Sequence, residues 1–478
     1  GSANIDTNSR LCMASSVAGH KRAFGSDTVP GCYDDLEQAD VVVLAGANLA
    51  WCHPVLYQRL ANAQERRGTK IVVIDPRQTA TAQAADIHLA LAPGSDLALF
   101  NGLLAHLDAA GTRDDGYIDR HTAGLNDALA AARSISLEQI AQSTGLAPSA
   151  LQSFYDLFAA NERVVTVYSQ GINQSIQGTN NVNAIINCHL LTGRIGRPGM
   201  GPFSITGQPN AMGGREVGGL SNQLACHMKI ENPDHRALVG EFWKTPDLAK
   251  EPGLKAVELF QAVRDGQIKA LWIMATNPLD SLPEADTVRA ALEACPFVVI
   301  SDVTRHTDTT RYGDVLLPAA AWGEKSGTVT NSERRISRQR PFLPLPGDAR
   351  PDWWIVTQVA RRMGFDDAFP FDHPAQIYAE YAALSGFGND GTRDFDIGAH
   401  GDISRDEYEN LTPFQWPLAL GQWPLTQGQW PPAQGTTPRQ KRFFADGGFF
   451  TADRRARFIA TPVGARITAP TKALPLIL

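Results

Sequence analysis

The chain has 478 residues, of which 43% are hydrophobic and 19% charged, a composition typical of globular proteins rather than of disordered ones. Its formal net charge of −7 argues against a nucleic-acid-binding protein, and no apolar run is long enough for a transmembrane helix. Six widely spaced cysteines form no C-x-x-C pair, which argues against a zinc ribbon or an iron–sulfur motif in this chain. Such cysteine usage favours a reducing compartment, and we expect the cytoplasm.

The first predicted helix carries Cys12, at the point where a polar turn becomes helical. Asn8 or Ser9 can cap this helix, and Met13 and Val17 predict an apolar stripe along it. The helix dipole favours the thiolate form of a cysteine at a helix N-terminus, and a thiolate is a nucleophile or a soft-metal ligand. A lone cysteine is more often a small buried hydrophobic residue, and the residue pattern leaves that alternative open.

Residues 35–95 alternate between strand and helix, which predicts a parallel, doubly wound sheet. Strands are expected at 41–44, 71–74 and 88–89, with a helix around 54–67. Ligands bind at the carboxyl ends of such strands, although a sheet without a ligand has the same turns. The glycines and polar residues at these ends are Gly46, Asn48, Asp75, Gly94, Ser95 and Asp96.

A second alternating set predicts a second sheet. After a mostly helical stretch over 97–161, a strand is expected at 164–168, followed by a Gly- and Pro-rich loop over 193–219. Further strands are expected at 270–274, 297–300 and 314–317. The chain is therefore predicted to be an α/β protein with two doubly wound parallel-sheet domains.

The predicted domains follow from these patterns. They are an α/β domain with the Cys12 motif over 1–205, a second α/β domain over 206–345, a helical segment over 346–410, and a linker with the start of a truncated C-terminal domain over 411–478. Gln-Trp-Pro recurs at 415–417, 422–424 and 429–431, which predicts a linker over 412–440. The apolar end at 474–478 predicts the start of a strand.

Three segments carry a resemblance to a known family: N-S-R-L-C-M-A-S-S-V at 8–17, G-C-Y-D-D at 31–35 and W-C-H-P-V-L at 51–56. They resemble the molybdopterin oxidoreductases of the dimethyl sulfoxide reductase superfamily, and within it the bacterial assimilatory nitrate reductases. The resemblance implies that Cys12 is the protein ligand of molybdenum. It also implies a Mo-bis(molybdopterin guanine dinucleotide) cofactor, which the two sheet domains cradle together.

The resemblance also implies further site residues. The cofactor contacts would be Asn8, Gly46, Asn48, Trp51, Asp75, Gly94, Ser95, Asp96, Gln170, Gln174, Asn277, Ser301, Asp302, Lys325 and Asp352. The block at 206–218 is similar to a nitrate-reductase block, in which Arg215 would present a fixed fork of donors to an oxyanion. A structural salt bridge of Arg215 to Glu216 or elsewhere is an equal alternative, and Lys325 could be a surface charge.

The implied reaction is the reduction of nitrate to nitrite by oxygen-atom transfer, for nitrate assimilation. Cys12, Met13 and Arg215 would have catalytic roles, and Met13 favours nitrate reductases because formate dehydrogenases usually carry histidine there. The partners would be nitrate and an electron donor, a flavoprotein or a ferredoxin, with neither nucleic acid nor membrane. The alternatives are a molybdenum formate dehydrogenase and a non-catalytic nucleotide-binding α/β fragment.

The resemblance also has gaps. Family members carry an N-terminal four-cysteine motif for a [4Fe–4S] cluster and a final domain that closes over the cofactor, and this sequence contains neither. We therefore expect an internal fragment or an incomplete gene product, with the cluster only in the full-length protein. We expect the intact protein to be active and this chain alone to be inactive.

Overall fold

The computed structural model describes residues 2–417, 442–445 and 447–464. Contacts divide them into two compact units. The Cys12 unit comprises Leu11–Pro209, Ser332–Arg334 and the described residues from Pro417 onward, and the Arg215 unit comprises residues 2–10, Asn210–Asn331 and Arg335–Trp416. The domain boundaries expected at 205, 345 and 410 stay a prediction.

The strands are short and spread over both units. In chain order they are β1 (Val41–Ala45), β2 (Lys70–Ile74), β3 (Ile87–Leu89), β4 (Thr122–Ala123), β5 (Val164–Tyr168), β6 (Gly201–Ser204), β7 (Ala270–Met274), β8 (Phe297–Asp302), β9 (Val315–Pro318), β10 (Gly327–Thr330), β11 (Arg335–Gln339), β12 (Phe414–Gln415) and β13 (Ala456–Arg457).

Helices connect most of these strands, as crossovers between parallel strands require. They are α1 (Ser9–Cys12), α2 (Ala14–Phe24), α3 (Asp34–Gln38), α4 (Leu49–Cys52), α5 (Pro54–Arg67), α6 (Ala80–Gln83), α7 (Asp96–Ala109), α8 (Asp115–His121), α9 (Leu125–Ala132), α10 (Leu137–Thr144), α11 (Pro148–Ala160), α12 (Gln170–Asn173), α13 (Gly178–Leu191), α14 (Ala211–Glu216), α15 (Pro233–Phe242), α16 (Ala256–Arg264), α17 (Pro278–Ser281), α18 (Ala285–Ala294), α19 (Asp352–Arg362), α20 (Pro374–Gly386) and α21 (Arg405–Glu409).

The Cys12 unit is built on a five-stranded parallel sheet with the order β3-β2-β1-β5-β6 among the described strands. Val41 of β1 pairs with Lys70 on one side and with Val164 on the other. Every residue of β1 and β5 is buried, which explains their continuous apolar runs. The order reverses between β1 and β5, and ligands bind in such sheets at the carboxyl ends of the strands beside this reversal.

The strands predicted around 41–44, 71–74, 88–89 and 164–168 are confirmed as β1, β2, β3 and β5. The loop predicted over 193–219 is wrong for β6 and α14, which both lie within it. Pro202 is tolerated in β6 because this strand is the sheet edge and pairs only with β5 among the described strands. Helix α14 contains Gly213 and Gly214, so propensity alone could not predict it.

The Arg215 unit contains a second parallel sheet, of order β7-β8-β9, which confirms the three predicted strands. These strands follow chain order, so no reversal of winding occurs among the described strands of this sheet. Helices α16 and α18 pack together and contribute Leu259, Val263 and Leu292 to a core shared with Ile273 and Ile300. An antiparallel sheet of β10, β11 and β12 follows, which the sequence patterns did not predict.

Two expectations concern the far end of the chain. Within the predicted linker, β12 pairs with β11 and Trp416 is fully buried. The repeats at 422–424 and 429–431 and the apolar end at 474–478 lie outside the described residues.

None of the helices in the described part of the chain combines the length and apolar character that crossing a bilayer requires.

Candidate active site

Cys12 lies at the junction of two helices. Helix α1 ends at Cys12, Met13 interrupts the helical backbone at φ −139°, and α2 begins at Ala14. Met13 and Val17 are buried, which confirms the predicted apolar stripe, while Cys12 is half-buried. The thiol is therefore accessible, while the helix that follows it, α2, is anchored in the core.

A different residue from those predicted helps to cap α1. The side-chain oxygen that accepts a hydrogen bond from its first residue is Thr7 Oγ1, 3.3 Å from the backbone nitrogen of Ser9. The predicted caps were Asn8 and Ser9, and Asn8 is exposed. Asn8 therefore keeps its amide at the surface, and its role as a cofactor contact stays a prediction.

Two glutamine amides contact the thiol. Gln170 Nε2 donates to Cys12 Sγ at 3.0 Å, and the thiol lies 3.1 Å from Gln208 Oε1 as its donor. Thr206 Oγ1 also donates to Gln208 Oε1, at 2.7 Å. Gln170 follows β5 and Gln208 follows β6, so the fold places Cys12 at the carboxyl edge of the sheet. The sequence patterns did not single out Gln208, although it lies in the block at 206–218.

The helix that follows Cys12, α2, is tied to the segment after β5. Asn173 Oδ1 accepts hydrogen bonds from the backbone nitrogen of Ser16 at 2.9 Å and from its hydroxyl at 2.6 Å. Ser15 Oγ donates to the Asn173 carbonyl at 2.7 Å, and Gln174 Nε2 donates to the Leu11 carbonyl at 3.3 Å. Gln174 therefore contacts the residue next to Cys12 rather than the thiol itself.

The turn after β1 is shaped by close backbone packing. Gly46 has φ +54°, and a Cβ there would lie 2.6 Å from Gly171 Cα, so only glycine fits between these two loops. Asn48 Oδ1 accepts from Thr81 Oγ1 at 2.7 Å, which places that amide oxygen in an internal hydrogen bond. Trp51 is 71% exposed and offers its indole face to a ligand.

Two carboxylates lie near each other beyond β2 and β3. Burial raises the pKa of Asp96 to about 6, and the charge of Asp75 raises the pKa further. Asp75 Oδ1 accepts from the backbone nitrogen of Arg77 at 2.8 Å. Gly94 has φ +79°, and the buried Ser95 donates its hydroxyl to the Ala92 carbonyl. Carboxylates at this edge suit a ligand that presents N–H or O–H donors.

Arg215 lies on α14 in the other unit and is 2% exposed. Its Nη2 lies 2.9 Å from Met212 Sδ. The adjacent Glu216 accepts hydrogen bonds from Thr330 Oγ1 at 2.7 Å, Trp416 Nε1 at 2.7 Å and Tyr381 Oη at 3.2 Å. Burial raises the pKa of Glu216, although these donors oppose the shift. Helix α14 is therefore held in place by a buried carboxylate that neutral donors satisfy.

The strand ends of the Arg215 unit carry three predicted contacts. Asn277, beyond β7, accepts from Thr309 Oγ1 at 2.5 Å. Ser301 is buried in β8, and its hydroxyl accepts from Trp272 Nε1 at 2.9 Å, while Asp302 Oδ1 accepts from the Thr304 backbone nitrogen. Asn277 thus links the end of β7 to the segment around Thr309, and Ser301 links β8 to β7.

Lys325 and Asp352 form an ion pair. Lys325 Nζ lies 2.6 Å from Asp352 Oδ2, and both side chains are about one-third exposed. Asp352 Oδ1 is buried and has no hydrogen-bond partner in the described residues. Lys325 is therefore more than an isolated surface charge, and the pair leaves one carboxylate oxygen that a ligand could satisfy.

Six of the predicted residues thus interact in three pairs, each within one unit. Gln170 donates a hydrogen bond to Cys12, the charge of Asp75 raises the pKa of Asp96, and Lys325 forms an ion pair with Asp352. Most of the remaining predicted residues follow strands of their own unit, whereas Met13 and Arg215 lie at helices and Asn8 precedes α1. Their roles toward a cofactor stay predictions.

Comparison with known proteins identifies the family. The molybdopterin oxidoreductase family model matches residues 1–362. The chain is 55% identical to a nitrate reductase of Klebsiella oxytoca over 420 residues, 88% of this chain and 48% of that protein. It is 49% identical to a nitrate reductase of Shewanella frigidimarina over 99% of this chain and 49% of that protein. The chain thus spans about half the length of these curated relatives.

A solved structure supports the fold. Acetylene hydratase from Pelobacter acetylenicus matches with a TM-score of 0.69, covering 96% of this chain and 60% of that chain. The sequence identity is 17%, so this likeness concerns the fold alone. The predicted α/β class with parallel sheets is confirmed.

Proposed function

Because the chain belongs to the molybdopterin oxidoreductase family, we propose that it is part of a molybdenum-dependent enzyme that reduces nitrate to nitrite by oxygen-atom transfer. Family membership implies a molybdenum–pterin cofactor. The observation that carries the proposal is the 55% identity to a nitrate reductase over 88% of this chain. The accessible Cys12 thiol at the carboxyl edge of the sheet supports it.

The residues present fit such a cofactor. Cys12 offers one soft ligand, and Gln170 Oε1 beside it is buried without a hydrogen-bond partner in the described residues. Asp352 Oδ1 is a second buried acceptor of this kind, and Trp51 offers an exposed ring. We propose the bis(molybdopterin guanine dinucleotide) form, held by the fifteen contacts predicted from the sequence. When bound, the cofactor supplies the two-electron chemistry of the reaction.

Three residues would act closest to that chemistry. Cys12 would hold the metal through its sulfur, and the buried Met13 would shape the site through packing. Arg215 would donate N–H groups to the oxyanion of nitrate, since its guanidinium is planar and permanently charged. Its burial would strengthen that attraction, because charges interact more strongly away from water.

The partners of the longer protein are also proposals. We expect electrons to arrive from a flavoprotein or a ferredoxin through a [4Fe–4S] cluster outside this chain. The cysteines of the described residues are all unpaired thiols, which supports a location in the reducing cytoplasm.

The test uses the complete gene product, expressed in a host that makes the molybdenum cofactor. Nitrite formation is measured with reduced viologen in wild type, in Cys12→Ala and in the control Cys295→Ala, whose thiol follows α18. Nitrate-dependent turnover that Cys12→Ala alone abolishes supports the proposal. Bound molybdenum with formate oxidation and no nitrate reduction would indicate a formate dehydrogenase instead. A protein without molybdenum would favour the non-catalytic nucleotide-binding alternative.

A further inference from the structure

The amide of Gln170 points its nitrogen at the sulfur of Cys12. The distance from Nε2 to Sγ is 3.0 Å, and the contact joins residues 158 positions apart in the chain. Its other end, Oε1, is buried without a hydrogen-bond partner in the described residues. The amide is thus oriented with its donor on the sulfur and its acceptor free for a ligand.

In the second amide contact, the sulfur is the hydrogen-bond donor rather than the acceptor. Gln208 Oε1 accepts from the thiol, and it also accepts from Thr206 Oγ1 at 2.7 Å. A sulfur that binds a metal has lost its proton and can only accept hydrogen bonds. Of the two contacts, only the one from Gln170 keeps its direction when the sulfur becomes a ligand.

Hydrogen bonds also join the backbone segments that carry Gln170 and Cys12 to each other. Gln170 begins α12, and the next residue, Gly171, donates its backbone N–H to the Gly46 carbonyl at 3.0 Å. Asn173, on the same short helix, binds Ser16 of α2 through its buried side chain. The helix after Cys12 and the turn bearing Gln170 are therefore linked independently of the sulfur, which pre-organises the contact.

We propose that Gln170 is a positioning residue that donates a hydrogen bond to the metal-ligating sulfur of Cys12. The bond fixes the direction of the sulfur and withdraws electron density from it. A less electron-donating ligand favours the reduced metal, so Gln170 raises the midpoint potential of the bound molybdenum. The inference rests on the proposed function, because it requires Cys12 to be the metal ligand.

The experiment compares Gln170→Leu and Gln170→Glu with the control Gln177→Leu in the complete gene product loaded with cofactor. Gln177 lies seven positions further along and precedes α13. Leucine removes the donor, and glutamate keeps the shape while placing an acceptor against the sulfur. The readouts are molybdenum content, the midpoint potential followed by Mo(V) paramagnetic resonance, and the kcat and KM for nitrate.

The expected result is a graded shift of the midpoint potential to more negative values, with Gln177→Leu equal to wild type, Gln170→Leu lower and Gln170→Glu lowest. The nitrate turnover of the Gln170 variants should fall roughly tenfold, as for other residues that support metal ligands, mainly in kcat. A merely structural role would lower molybdenum content without moving the potential of the metal that remains.

The experiment distinguishes a failure of the role of Gln170 from a failure of the proposed function. A wild-type protein that binds molybdenum and reduces nitrate, with Gln170→Leu and Gln177→Leu at the same midpoint potential, would overturn the role of Gln170 and leave the proposed function standing. A wild-type protein that binds no molybdenum would overturn both.

Discussion

The two parallel sheets follow the same strand–helix rule but are buried to different degrees. In the five-stranded sheet every residue of β1 and β5 is buried. In the three-stranded sheet, Val315 and Leu316 of β9 are 38% and 43% exposed, and Phe297 of β8 is 47% exposed. Strands with similar apolar runs are therefore buried to different extents. The sequence of such a run does not by itself show whether the strand belongs to the core.

The polar residues of the two units also differ in their degree of burial. Cys12 is half-buried and is held by single amide contacts. Glu216 is buried and satisfies three donors at once. A side chain at the edge of a sheet can change with little effect on folding, whereas a buried acceptor cannot, since its loss leaves donors without partners.

The largest expected effect is on activity. Cys12→Ala should reduce nitrate turnover and molybdenum content to background while changing the free energy of unfolding of the cofactor-free chain by less than about 0.5 kcal/mol. The measurements are nitrite formation, metal analysis and denaturant unfolding. A marked loss of stability in this variant would show that the thiol supports the core, as a buried cysteine does.

Glu216→Leu should lower the free energy of unfolding by about 4 kcal/mol or more, because two buried donors and the half-buried Tyr381 hydroxyl lose their acceptor, and each buried donor left unpaired costs about 1–3 kcal/mol. Glu216→Gln, which retains one amide oxygen, should cost less than half as much. Chemical denaturation with each variant checks this order. Equal losses in Glu216→Leu and Cys12→Ala would contradict the comparison between the two sites.

The comparison of the sheets predicts unequal costs for one substitution. Leu44→Ala, in the buried β1, should lower the free energy of unfolding by about 2–5 kcal/mol through lost packing and a cavity. Leu316→Ala, in the exposed part of β9, should cost less than about 1 kcal/mol. Thermal and denaturant unfolding measure both, and similar costs would mean that β9 is as well packed as β1.

The smallest effect concerns pH. Burial raises the pKa of Asp96 to about 6, whereas an unfolded aspartate titrates near 3.9. Between these values the folded chain keeps the proton that the unfolded chain releases, so this residue makes stability fall as pH rises from about 4 to about 6. Asp96→Asn should remove that trend and stabilise the cofactor-free chain by roughly 3 kcal/mol at pH 7.

The control for that prediction is a pair of unfolding curves recorded across the pH range. Near pH 3.5 the wild type and Asp96→Asn should have nearly equal stability, since both then carry an uncharged side chain. Parallel curves that never converge would mean that Asp96 does not titrate in this window.

Local patterns predicted much of the fold. The β-branched runs predicted β1, β2, β5 and β8, and the apolar spacing after Cys12 predicted the buried face of α2. Local patterns failed at β6, where Gly201 and Pro202 are typical of loops. That strand exists because the neighbouring β5 offers it a ladder of hydrogen bonds at the sheet edge.

The sequence by itself determined most strands of the two parallel sheets and which cysteine stands at the junction of turn and helix, because both depend on residues a few positions apart. Only the tertiary structure decided which residues contact that cysteine. Gln208 lies 196 positions from Cys12, and Trp416 lies 200 positions from Glu216. Such pairs are set by the order of the strands and by burial, which bring distant loops to one edge of a sheet and leave no local trace in the chain.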